Sequence, residues 1–122
     1  MTRPASPPAG PTFDLPAVDR DLRREDAYRR DGHTARTLVR APDLRIVLVV
    51  MRAGARIAEH RAAETVSIHA VSGHIRLRVA DETVDLPTGR LLVLEGGVSH
   101  DVEAIQESAF LLTLGWKGSG GS

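Results

Sequence analysis

The chain contains no cysteine. That excludes a disulfide scaffold, a thiolate metal centre and a cysteine nucleophile, and it fits a reducing compartment. Aromatic residues are nearly as scarce, being Phe13, Tyr28, Phe110 and Trp116 alone. A platform for stacking nucleic-acid bases is not available from so few rings. All of the 16 basic residues except Lys117 are arginine, and 16 acidic residues bring the formal net charge to zero. Neutralising a phosphate backbone takes a basic surplus, so no nucleic-acid partner is expected. Long apolar runs are also missing. The longest, Ile46 to Met51, is far shorter than the roughly 20 residues that span a bilayer. Residues 1–10 are proline-rich and lack the apolar core of a secretory signal. The expectation is a soluble, cytoplasmic protein with no membrane partner.

What is present is a single-domain length, 122 residues, with a change of pattern near residue 34. Residues 1–12 carry Pro4, Pro7, Pro8 and Pro11 and read as a flexible segment. Residues 13–33 read as one short helix laid on the rest of the fold. Asp14 suits its N-cap, Pro16 its first turn and Gly32 its C-terminal stop, and Leu15, Val18, Leu22 and Tyr28 form a thin apolar stripe. From 34 to 116 short Val-, Ile- and Leu-rich runs alternate with turn signals such as Ala41-Pro42-Asp43, Ser72-Gly73 and Pro87-Thr88-Gly89. Strands are expected at 34–40, 44–52, 56–60, 66–72, 74–80, 83–86, 90–94, 99–105 and 108–116. The run His74 to Val79 alternates, with Ile75, Leu77 and Val79 on one face. Ile46–Met51 and Phe110–Trp116 are apolar on both faces, so each needs two covers. The second cover is either the N-terminal segment or another subunit, and a homodimer is expected. Residues 117–122, Lys-Gly-Ser-Gly-Gly-Ser, read as a linker or tag-like tail.

Two spaced patterns carry a resemblance. Gly54, then five residues, then His60, with a closing Gly73, forms one. Gly89, Gly97 and His100 form the other, with Glu95 where proline is usual. In this order and spacing they resemble the two signatures of the cupin superfamily, and the wording is similar to small bacterial cupins. The resemblance covers residues 44–116. It implies an all-β fold, an antiparallel jelly-roll β-barrel with a short N-terminal helix.

Cupins that bind metal bring three histidines and a glutamate to one ion. Here Ala62 stands for the second histidine, Val66 for the glutamate and Ala104 for a usual asparagine. His60 and His100 are what remains of the metal set. Two imidazoles rarely hold a divalent ion, so any ion is expected to bind weakly. Strand alternation turns Glu59 and Asp101 away from the histidine face, while Glu64 lies in the following loop, within reach of a third ligand position. Arg56 shares strand parity with His60 and is expected to look into the same cavity, with Ala62, Glu64 and Val66 along its wall. Surface placement is the plainer reading for the other arginines. His69 falls on the opposite face, His74 at a solvated turn, and His33 is not placed. Ser99 and His100 point in opposite directions, which defeats a nucleophile–base pair. The expected function is binding of a small molecule in the barrel cavity at a two-histidine polar spot. The alternative is a metal-dependent oxygenase or isomerase using His60, His100 and a non-standard third ligand.

Overall fold

The structure is a computed structural model that describes residues 9–115, apart from the side chain of His60. The N-terminal segment 1–8, Trp116 and the tail 117–122 lie outside the described residues. Two helices replace the single one expected. Helix α1 spans Leu15–Arg23, and the Ala17 amide donates to the Asp14 carboxylate at 3.1 Å, as an N-cap should. It closes through Arg24 N to Asp21 O and Glu25 N to Leu22 O. Glu25, in an extended conformation, then starts α2, Asp26–Asp31. Gly32 ends α2 in the left-handed region, at φ 80°. The break gives both helices a buried anchor. Leu22 and Tyr28 are buried, so this segment is more embedded than its charge suggested.

Nine strands follow: β1 His33–Ala41, β2 Leu44–Met51, β3 Arg56–His60, β4 Val66–Ser72, β5 His74–Val79, β6 Glu82–Pro87, β7 Leu91–Leu94, β8 His100–Ala104 and β9 Ser108–Gly115. They form two antiparallel sheets, ordered β1-β2-β9-β4-β7 and β3-β8-β5-β6. This is the two-sheet jelly-roll arrangement that the resemblance implied.

The main core lies between the sheets, where Met51, Ile68, Ile75, Leu77 and Phe110 are buried. Strand β2 also serves a second cluster. Its alternate residues Leu48 and Val50 pack with Leu22, Tyr28 and Ala109. The N-terminal helices are therefore the second cover for this part of the two-sided strands. Their cover does not reach β7 at the sheet edge, where Leu91 and Val93 are each 59% exposed. The outer face of the smaller sheet is charged. Arg56, Glu103, Arg76 and Asp85 stand in register across four strands, and Arg76 Nε donates to Asp85 at 2.9 Å. Alternating signs at cross-strand positions suit a solvated face.

Candidate functional site

A cavity of about 240 Å³ opens between the sheets on the side of β1 and β3. Val47, Val49, Ile68, Phe110 and Leu112 wall it from one sheet, and Ile57 and Val102 from the other. Period-two alternation places these residues inward, because their neighbours serve the opposite face. Two imidazoles join this apolar wall: His100, from β8, and His33, from the start of β1.

His100 is 3% exposed, and its Nδ1 lies 3.2 Å from the Val98 carbonyl. A carbonyl only accepts, so a proton is assigned to Nδ1. His33 follows directly on Gly32. The Arg52 amide donates to the Gly32 carbonyl at 2.7 Å, and a Cβ at residue 32 would sit 3.1 Å from the Ala55 Cβ. Together with the positive φ, this close approach makes glycine the fitting residue where the chain swings from α2 into β1. His33 pairs in register with Met51, a core residue, which puts it on the inner side of the sheet.

Arg56 is not in the cavity. Ile57 pairs with Val102 and His60 with His100, so Ala58 and Glu59 stand against Asp101 alone. This bulge breaks the alternation on which the shared parity of Arg56 and His60 rested. Arg56 is exposed, paired with Glu103 on the outer face, and Ile57 takes the inner position. The same register sets His60 directly across from His100.

The remaining expected wall residues lie elsewhere. Ala62 packs against the main core, and Gly97 N donates to its carbonyl at 2.8 Å. Gly96 approaches this loop so closely that a Cβ would fall 2.1 Å from the Ala63 oxygen, so the Gly96-Gly97 turn clamps the β3–β4 connection. Glu64, half-buried in that connection, is not part of the cavity wall. Val66 is 3% exposed, opposite Leu94 and Leu114, and belongs to the main core.

The other polar candidates face outward. Glu59 accepts from Ser99 Oγ at 2.8 Å, Asp101 pairs with Arg78, and His69 pairs with Leu91 and Leu111. His74 is engaged with Asp85 at 3.2 Å, where the expectation was a solvated ring. Among the described residues, no group of three or more His, Asp or Glu side chains is arranged to hold an ion. Ala62 and Val66 bring no donor to the two positions where the cupin pattern places further ligands.

Neither family models nor curated proteins match the chain. Solved structures do. A conserved protein of unknown function from Streptococcus pyogenes superposes with a TM-score of 0.66 at 24% identity, covering 75% of this chain and 85% of that one. A cupin superfamily protein from Desulfitobacterium hafniense gives 0.66 at 14% identity, covering 69% and 77%. Salicylate 1,2-dioxygenase from Pseudoaminobacter salicylatoxidans gives 0.76 at 19% identity, covering 84% of this chain and 34% of that one. These likenesses show that the chain has the cupin fold, an antiparallel β-barrel carrying short N-terminal helices.

Proposed function

We propose that this chain binds a small, largely apolar molecule inside its barrel, with His100 as a polar contact. The observation that carries this reading is the composition of the cavity wall. Aliphatic side chains and Phe110 dominate it, and His100 is held there by the Val98 carbonyl. Concave, mostly apolar sites with a few fixed polar groups are the usual form of a small-molecule pocket.

A second reading, a metal-dependent oxygenase or isomerase, draws on the register of His60 with His100 and on the likeness to a dioxygenase. Ala62 and Val66, which bring no ligand to the two positions where the cupin pattern places one, stand against it. If an ion bound here, His60 and His100 would hold it, and it would supply Lewis-acid or redox chemistry.

Toluene, followed by nuclear magnetic resonance shifts of the methyl groups of Val47, Ile57 and Val102, tests the binding reading. Shifts confined to the cavity wall are the expected result. Their absence, together with stoichiometric metal in protein purified without a His-tag, would replace it with the metal enzyme.

A further inference from the structure

We infer that β7 is the docking edge for a second copy of this chain. The β7 strands of the two copies pair antiparallel, with Leu92 of each at the twofold axis, and join two five-stranded sheets into one continuous sheet.

An open sheet edge presents unpaired N–H and C=O groups, and proteins blunt such edges with charge or proline. Each sheet here ends in two edge strands, β1 and β7 in the larger, β3 and β6 in the smaller. Strand β1 carries Arg36 and Arg40, β3 carries Arg56 and Glu59, and β6 carries Glu82, Asp85 and Pro87. Strand β7 is Leu91-Leu92-Val93-Leu94, with neither charge nor proline. Its outer face is apolar as well, because Leu91 and Val93 are exposed there while the helices cover the sheet nearer β2.

The backbone of β7 fixes which residues meet the partner. On the β4 side the Ala70 amide donates to the Arg90 carbonyl at 3.0 Å, and the register sets His69 opposite Leu91 and Ile68 opposite Leu92. Hydrogen-bonded positions alternate along an antiparallel ladder, so Leu92 and Leu94 bond toward β4. The N–H and C=O groups of Leu91 and Val93 therefore point to the open edge. A second β7 pairs both residues within the strand in one antiparallel register. Leu91 bonds to the partner's Val93, Val93 bonds to the partner's Leu91, and Leu92 faces the partner's Leu92. The exposed Leu91 and Val93 side chains then become cross-strand neighbours on the outer face.

Charge selects a second copy as the occupant. Arg90 precedes β7, Glu95 follows it, and both are exposed. Antiparallel pairing brings Arg90 of each copy to the Glu95 end of the other. Parallel pairing would set like charge beside like, which is unfavourable.

Amide exchange in the full chain, followed by nuclear magnetic resonance, reads the edge directly. Where the dimer dominates, the monomer fraction falls as the square root of concentration. Raising the concentration roughly hundredfold should then slow the Leu91 and Val93 amides about tenfold. The Leu92 and Leu94 amides, already bonded to β4, should change little. The chain has no cysteine, so Leu92→Cys and Leu91→Cys each introduce a single thiol. Facing Cα atoms at a non-hydrogen-bonded pair lie about 4.5 Å apart, within disulfide range, whereas diagonal neighbours lie about 7–8 Å apart, beyond it. On mild oxidation Leu92→Cys should form a covalent dimer about tenfold faster than Leu91→Cys. Edge amides whose exchange ignores concentration would overturn the inference, even if the chain dimerises through another face. Equal cross-linking of the two variants, the result of parallel or chance contact, would overturn it too. Exchange in the parent needs no substitution and decides the matter if Leu92→Cys fails to fold.

Discussion

The Arg23 guanidinium lies 5.4 Å from the centre of the Tyr28 ring and donates to the Tyr28 hydroxyl at 2.7 Å. The same guanidinium donates to the Ser108 carbonyl at 3.0 Å and pairs with Asp19 and with Glu107. Tyr28 in turn donates to Glu107 at 3.3 Å. Burial is the main reason that the phenol is pushed above its ordinary range, which keeps it a donor. One arginine thus ties both helices to the start of β9.

Removing it should loosen that attachment. Arg23→Ala is expected to cost about 2–3 kcal/mol, the range for charge-assisted hydrogen bonds in partly buried settings, and Tyr28→Phe about 1 kcal/mol. Urea unfolding measures both. An Arg23→Ala midpoint indistinguishable from the parent would mean that the helices are held by Leu22 packing alone.

The sequence made the strands legible because alternation, turn residues and β-branched runs agreed with one another. His74 to Val79 shows this: Ile75 and Leu77 are both fully buried, as alternation requires. The helix break at Arg24-Glu25 was not legible, since neither residue is a breaker and the interruption comes from seating Leu22 and Tyr28 on the sheet. Arg56 was misplaced for a similar reason. A parity argument assumes a regular ladder, and the bulge between Ile57 and His60 is a property of the pairing with β8. The face of His33 was not legible, because the β1–β2 register shifts at an irregularity between Thr37 and Val39. The signal that was available is its position directly after the helix-stopping glycine. Ala62 and Val66 were read from signature spacing, which locates a position along a strand and not the extent of the cavity.

Acid stability should depend on Asp85. The Arg76 hydrogen bond is the largest cause holding its carboxyl below the ordinary 3.8, and His74 adds to it. A carboxyl whose pKa is lower folded than unfolded stabilises above the unfolded value, and that contribution is lost as pH falls through the folded one. The parent should therefore lose more melting temperature between about pH 5 and about pH 3 than Asp85→Asn does. Parallel curves for the two proteins would remove Asp85 from the account.

Assembly is the next expectation. Leu91 and Val93 are exposed on β7, an edge strand, beyond the reach of the helices. Uncovered edges with apolar side chains favour pairing with another chain. Light scattering should give a mass near twice the monomer's 13.2 kDa. The double change Leu91→Glu with Val93→Glu should shift it to the monomer without altering the circular dichroism spectrum. A parent that is already monomeric at micromolar concentration would end the homodimer reading.

Metal affinity offers the sharpest test of how the signatures align. The parent should bind zinc or manganese weakly and below one ion per chain, because Ala62 and Val66 bring no ligand. Ala62→His with Val66→Glu adds an imidazole and a carboxylate at the two positions where the cupin pattern places them. Val66 is 3% exposed between Leu94 and Leu114, so a glutamate there is buried among apolar neighbours. Without metal, the double variant should be destabilised by a few kcal/mol and its carboxyl driven toward the protonated form. A divalent ion reverses both effects, since it supplies the opposite charge and binds the folded state only. Calorimetric titration should then show one tight site, and melting temperature should rise with metal in the double variant but not in the parent. Tight binding by the parent, lost in His60→Ala, would favour the metal enzyme over the binding protein. A folded double variant that gains no affinity would show that the first signature is aligned at the wrong residues.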